Sequence, residues 1–525
     1  MFMSSADYRE SLRRLKPRVY VEGRAVGAVA DDPSLAPGVA AMGVAYDFAL
    51  RNEYRPLMVA EQHTSGREVN RMVHINRTAT DLLTKLEAVR LVCQETGCAQ
   101  RYLTMDAFNA LFQTTWHLDR ALGADRALGA GRHQRFVEYM HWVQDEDLTT
   151  AIAMTDGKGD RSRRPHEQAV PDSYVHVTER RKNGVVIRGT KAIVTGAPYM
   201  HEILVLPCRN MVEADRDFAV ACAVPIDAPG VTISARPAGR PGEKAALFSG
   251  RYGQSLGAIF FDDVFVPDAR VFLDGEWEWA GHLARTYATH HRHTCIGARA
   301  GFGDLLIGAG TMTMRANGLS PDTAPHLRDR MVELIKTVEG IFACGVASSV
   351  YGLRDPAGNI EPEPVYANIG KLMLATQIYD MHRIAHEVAG GMIAALPGPD
   401  EDHNPATAGM IAETLRGHPD VPYAHRAKLA RFLEDLTVSD TAGWYSTISL
   451  HGGGSPEAMK MEIFRNYPIP DKVALVERLL DRGLLPGRKD EAGRDIAPAD
   501  QAGRCCPQGC RVPELPPSLR KDRRS

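Results

Sequence analysis

The hydrophobic period of this chain changes twice, and that limits the folds open to it. Over residues 39–50, 79–93, 106–122 and 132–147, apolar side chains recur at helical spacing. From residue 174 the pattern alternates instead, in Tyr174-Val-His-Val-Thr-Glu, Gly184-Val-Val-Ile-Arg-Gly, Phe218-Ala-Val-Ala-Cys-Ala-Val-Pro and Gly257-Ala-Ile-Phe-Phe. Asn183-Gly184 supplies a hairpin turn between two of these runs. Helical spacing returns over 279–317, 325–351, 365–395, 425–447 and 455–464, in stretches long enough for a four-helix bundle. The order predicts an α+β protein: an N-terminal helical domain over 1–150, a central β-barrel domain over 151–276 and a C-terminal helical bundle over 277–487. Residues 488–525 are rich in Pro, Gly and charge and read as a disordered tail.

Composition excludes several functions. The formal net charge of −3 on 525 residues gives no reason to expect nucleic acid or an anionic membrane as partner. No apolar run approaches the roughly 20 residues of a membrane span, and residues 1–16 lack the apolar core of a signal peptide. A cytoplasmic protein is expected, with its nine cysteines as free thiols. Cys505, Cys506 and Cys510 resemble part of a metal site, but structural zinc takes four ligands, so no metal is expected there.

At the first change of period lies Met154-Thr155-Asp156-Gly157-Lys158-Gly159-Asp160-Arg161. Glycines let a backbone approach a ligand closely, consecutive amides in such turns bind anions, and Lys158 and Arg161 add positive charge. By spacing alone a solvated turn explains the segment as readily. A second glycine run, His451-Gly452-Gly453-Gly454-Ser455, reads either as an inter-helix loop or as an anion cradle. Gly301 and Gly303 read as close helix packing.

Helical, β and bundle regions in this order resemble the acyl-CoA dehydrogenase architecture. The 154–161 segment, Lys191-Ala-Ile-Val-Thr195-Gly, Phe261-Asp-Asp-Val-Phe-Val-Pro267, His291-Arg-x6-Arg299-Ala-Gly-Phe-Gly-Asp304 and the His451 glycines together resemble the 4-hydroxyphenylacetate 3-hydroxylase / 4-hydroxybutyryl-CoA dehydratase flavoproteins. Met105-Asp-Ala-Phe leans toward the dehydratase branch. The resemblance implies that FAD is held by residues 154–161, by Ile193, Val194 and Thr195, and by His451 to Ser455, and that the chain forms a homotetramer, a dimer of dimers.

Departures from the pattern carry as much information. The dehydratase ligates an iron–sulfur cluster through three Cys and one His. Two of these positions are Cys98 and His291 here, but the other two are Tyr102 and Ala298, so no cluster is expected. A family tyrosine falls at Cys295, a lysine at Arg299, and carboxylates at Ile448 and at Ser255 or Leu256. The phenol-binding residues of the hydroxylase branch fall near Thr104, Phe108 and Ile152. The base is then sought in Tyr287-Ala-Thr-His-His-Arg-His293, since His takes or gives a proton near neutral pH. On a helix His290 and His293 share a face while His291 points elsewhere. Expected catalytic residues are His291, Arg101, Tyr102, Cys295 and His293.

No strand runs through G-x-G-x-x-G into a helix, so a nicotinamide module is not expected. The leading expectation is a two-component FAD-dependent monooxygenase. A separate reductase would deliver reduced FAD, and the enzyme would hydroxylate an aromatic or other electron-rich small molecule, free or bound to CoA or a carrier. A cluster-free CoA-ester isomerase or desaturase is the second expectation, and a non-catalytic flavin-binding homologue the third.

Overall fold

The computed structural model describes residues 2–98, 100–123 and 131–480; the tail expected over 488–525, with its three cysteines, lies outside the described residues. The N-terminal helices expected from the apolar spacing form as Ala36–Leu50, Ala79–Thr96, Tyr102–Leu122 and Arg132–Asp145. Thr78 caps the second, its hydroxyl accepting from Asp81 N while Asp81 accepts from Thr78 N, which satisfies two amides that the first turn would otherwise leave unpaired.

Beside two separate strand pairs, Val59–Gln62 with Arg67–Asn70 and Leu353–Arg354 with Ile360–Glu361, two larger sheets form the β region. One has six strands in the order Arg24–Ala25, Val19–Val21, Val231–Ala235, Leu256–Pro267, Gly184–Thr195 and His176–Arg181. The other runs Val271–Asp274, Val220–Pro225, Glu202–Val205 and Thr150–Ala153. The expected β-barrel domain forms as two packed sheets, the barrel not closed. Val19, Val177, Ile187, Ile203, Val224 and Ile233 are among the apolar side chains between them. Thr150–Ala153 had no strand signal because it is buried on both faces, and its parallel pairing with Glu202–Val205 leaves no alternation to read. The hairpin turn forms within Arg181-Lys182-Asn183-Gly184: Arg181 pairs with Gly184, so Lys182 and Asn183 rather than Asn183 and Gly184 stand at its centre.

The C-terminal region is built on the 40-residue helix Trp277–Ala316, against which Pro325–Val350 and Pro364–Ala389 pack. A Cβ on Gly301 would stand 2.4 Å from the Arg90 carbonyl oxygen, and one on Gly303 2.4 Å from Val338, so both glycines serve close helix packing as expected. The helix expected over 425–447 divides into Tyr423–Thr437 and Asp440–His451, because Ser439 caps the second by accepting from Ala442 N. No helix among the described residues is long and apolar enough to cross a membrane.

Candidate flavin site

A cavity of about 960 Å³ lies where the Tyr102–Leu122 helix, the six-stranded sheet and the C-terminal helices meet. Its β-side wall is the 154–161 segment, which a buried ion pair holds in place. Lys191 Nζ lies 2.7 Å from Asp156 Oδ1, with both side chains 2% exposed. The same ammonium donates to the carbonyls of Met154 and Leu206 at 3.0 and 2.7 Å. Asp156 also accepts from Val175 N, and the Thr155 carbonyl accepts from Ala192 N at 2.8 Å. The segment is thus tied to the strand that carries Ile193 and Thr195. Met154, Thr155, Lys158 and Arg161 line the cavity with them.

Two backbone positions here are strained. Lys158 has φ +68° and Ile193 φ +57°, the latter an unusual conformation for a β-branched residue. Ile193 is also 63% exposed. Strain combined with an exposed aliphatic face marks a surface shaped for a ligand rather than for packing.

Opposite lies the glycine run. Arg292 Nε donates to the Gly453 carbonyl at 2.8 Å, and its Nη1 to Asn368 at 2.7 Å. Gly453 and Gly454 have φ +78° and +105°, and a Cβ on Gly453 would meet His291 Cδ2 at 3.2 Å. Lys371 donates to the Ser449 carbonyl at 2.7 Å, and burial pulls its ammonium down to about 8. Eight Lys or Arg side chains line the cavity against one carboxylate, Glu462. Positive charge, glycine cradles and an apolar face fit a bulky anionic cofactor such as FAD.

The inner end carries the reactive groups. His291 Nδ1 lies 3.2 Å from Asp106 Oδ2, and its Nε2 3.5 Å from Cys295 Sγ. Thr294 donates to Asp106 Oδ1 at 2.6 Å, and Lys85 Nζ stands 3.8 Å from the same oxygen. The Tyr102 hydroxyl is 3.9 Å from Cys295 Sγ. Burial alone would push the imidazole down, but Cys295 and Asp106 outweigh it and hold His291 toward its protonated form. Burial would likewise raise the Cys295 thiol, and His291 outweighs that in turn.

Arg101, His293, Asp156, Gly157, Gly159, Asp160 and Val194, also expected at the site, lie outside the cavity lining. Arg101 is bonded to the Asp147 carboxylate, donates to the Asp147 carbonyl at 2.9 Å and lies over the Tyr46 ring. His293 reaches Ser349 Oγ at 2.7 Å, and His290 reaches Gln113 at 2.9 Å, on the face away from His291. Val194 is buried between the sheets. Gly157 N donates to Thr190 O, Gly159 abuts Gln168, and Asp160 accepts from Ser162 N in an exposed turn. His451, Gly452, Gly453, Gly454 and Ser455 all line the cavity. Asp106, Lys85, Arg292 and Lys371 were not foreseen as site residues. Of these, Asp106 lies in Met105-Asp-Ala-Phe and Arg292 in His291-Arg-x6-Arg299, while Lys85 and Lys371 lie in no motif.

A helical, β and helical chain with an anion-accepting cavity where its layers meet defines a flavin-dependent enzyme class. The family model "4-hydroxyphenylacetate 3-hydroxylase N terminal" matches residues 4–273, and "4-hydroxyphenylacetate 3-hydroxylase C terminal" matches 280–481. The chain belongs to this family. A 4-hydroxybutyryl-CoA dehydratase/vinylacetyl-CoA-Δ-isomerase of Clostridium aminobutyricum is 33% identical over 91% of this chain and 99% of its own length. The oxygenase component of a 4-hydroxyphenylacetate 3-monooxygenase of Thermus thermophilus is 24% identical, over 89% of this chain and 95% of its own. Among solved structures, an oxygen-tolerant archaeal 4-hydroxybutyryl-CoA dehydratase from N. maritimus superposes with a TM-score of 0.87 at 32% identity, covering 94% of this chain and 98% of that one. An FAD complex of a 4-hydroxyphenylacetate 3-monooxygenase oxygenase component shares the fold, with a TM-score of 0.79 at 21% identity over 91% of this chain and 98% of its own.

The dehydratase branch also raises the iron–sulfur cluster. Tyr102 and Ala298 offer no thiolate at two of the four ligand positions, and His291 is engaged with Asp106 and Cys295. Among the described residues no group of three or more His, Cys, Asp or Glu side chains is arranged to hold a metal. The residues present do not fit the cluster.

Proposed function

We propose that this chain is an FAD-dependent enzyme that moves or introduces a double bond in a CoA-type thioester by proton transfer, without an iron–sulfur cluster. The observation that carries this reading is the Asp106–His291 pair at the inner end of the cavity. Asp106 fixes Nδ1 at 3.2 Å, so Nε2 is the nitrogen turned toward the cavity-lining Cys295. In its neutral form an imidazole held in one orientation can take a proton from carbon, and Asp106 and Cys295 favour the imidazolium that results, which then returns it. The Clostridium relative carries a vinylacetyl-CoA Δ-isomerase activity in its name. A double-bond shift of that kind is proton removal and return, which needs no cluster.

FAD would be held by Lys158 and Arg161 at its phosphates, by Ile193 and Thr195 along its ring system, and by the glycines 452–454 on the opposite wall. When bound it supplies a redox-active, electron-poor ring beside the substrate. The chain's own residues bind the thioester, exclude water and move the proton at Nε2. Homotetrameric assembly, which rests on the family resemblance, and a cytoplasmic location, which rests on the polar residues 1–16, belong to this proposal.

A second reading is the two-component monooxygenase, with reduced FAD from a separate reductase and an aromatic substrate. The ring wall favours it: Tyr102, His291 and Tyr287 stack in sequence with centroids 5.9 and 5.5 Å apart. His291 would then deprotonate a phenol. Cys295 weighs against it, because an oxygen-activating site exposes a neighbouring thiol to oxidation. Identity also ranks it second, at 24% against 33%.

Anaerobic incubation of the FAD-loaded protein with vinylacetyl-CoA separates the two. Appearance of the isomer without oxygen is expected. No isomer, together with oxygen uptake by the protein given chemically reduced FAD and a phenol, would replace the first reading by the second.

A further inference from the structure

The cavity holds a nucleophile that the proton transfer does not require. Cys295 follows His291 by one helical turn on the Trp277–Ala316 helix, so both project from the same face. Its Sγ stands 3.5 Å from His291 Nε2, whose Nδ1 is in turn 3.2 Å from Asp106. Carboxylate, imidazole and thiol therefore lie in the order that activates a cysteine for attack: the imidazole handles the thiol proton and the carboxylate orients the imidazole. Asp106 is itself fixed by Thr294 at 2.6 Å, which keeps the line rigid. Cys98 lines the same cavity without such a partner, its thiol turned to the Gly253 carbonyl at 3.8 Å. Cys344 faces the Met373 sulfur.

We propose that Cys295 is a covalent acceptor site for α,β-unsaturated carbonyl compounds, with His291 as its proton partner and Asp106 as the positioning residue. In the step, a bond forms between Sγ and the β-carbon as the carbon–carbon π bond breaks. The proton that the thiol gave to His291 Nε2 passes to the α-carbon, leaving a neutral thioether and a neutral imidazole. The reverse elimination restores both partners, so capture is reversible for a thioester. The site deepens the thioester reading and depends on it only for the identity of the natural electrophile.

The test is limited labelling of the FAD-loaded protein with N-ethylmaleimide, followed by intact mass and peptide mapping. Cys295, 9% exposed, is expected to take the label before the more exposed Cys208 and Cys344. His291→Gln should slow labelling at Cys295 by about tenfold or more and leave Cys344 unchanged, which also reports that the variant is folded. Asp106→Asn should give an intermediate rate. An unlabelled Cys295, or one labelled equally fast in His291→Gln, would overturn the proposal. Labelling needs no turnover: activated Cys295 with no thioester conversion would remove the thioester reading alone.

Discussion

Lys191 and Asp156 form an ion pair at 2.7 Å in which neither side chain is more than 2% exposed. The pair joins the segment after Thr150–Ala153 to the strand bearing Ile193, so it sets the geometry of one cavity wall. Lys191→Met leaves Asp156 buried and unpaired and removes the donor to two carbonyls. Breaking a buried pair from one side destabilises by roughly 3–5 kcal/mol. Chemical denaturation should register that loss, and equilibrium dialysis should register weakened FAD binding. FAD affinity unchanged in a folded variant would detach this wall from the cofactor.

Gly453 tests the opposite wall. At φ +78°, with His291 Cδ2 only 3.2 Å from any added Cβ, Gly453→Ala combines backbone strain with crowding. Strain at such a position is worth on the order of 1–2 kcal/mol, so flavin affinity should fall about tenfold. Gly391→Ala, where a Cβ meets nothing within 4 Å, is the matched control and should bind FAD normally.

Arg161 lines the cavity as an exposed guanidinium. A charge-assisted contact to phosphate is worth roughly 1.5–3 kcal/mol. Arg161→Ala should therefore raise the FAD dissociation constant about tenfold or more while leaving the melting temperature of the apoprotein unchanged. Fluorescence titration with FAD measures the first quantity and thermal melts the second.

His201 governs acid stability. It is buried, its Nδ1 accepts from Thr149 N at 3.1 Å, and its Nε2 meets Ser11 Oγ at 2.8 Å. Burial, helped by the Arg101 charge, pushes the imidazole down to about 3. An unfolded histidine takes up its proton near pH 6.5. Between those values the unfolded chain binds the extra proton, so this contribution is complete above pH 6.5 and is lost as pH falls toward 3, by up to about 1.4 kcal/mol per unit. Urea unfolding of wild type and His201→Gln from pH 7 to 4 should show a shallower decline in the variant. Parallel declines would rule His201 out.

The architecture was legible because hydrophobic period survives folding: each long stretch of helical spacing became helical, in one piece or two, and each alternating run contains a strand. The short, doubly buried strand Thr150–Ala153 left no period to read, and closure of the sheet depends on pairings that no local pattern encodes. Within the site, the pairing of His291 with Cys295 follows from a four-residue helical spacing. Asp106 stands 185 positions from His291, and Lys371 comes from a helix without a motif, so only the packed structure brings them together. Arg101 and His293 carry the right chemistry for catalysis, yet their polar atoms are engaged by Asp147 and Ser349 outside the cavity lining.

Proton transfer at His291 is the central step of the proposed reaction. Its direct measurement is deuterium incorporation into vinylacetyl-CoA, followed by mass spectrometry, in anaerobic D2O with the FAD-loaded protein. Wild type should incorporate deuterium, and His291→Gln should slow incorporation by about a hundredfold or more with its FAD content intact. No incorporation by the wild type, or equal incorporation by the two proteins, would contradict the account.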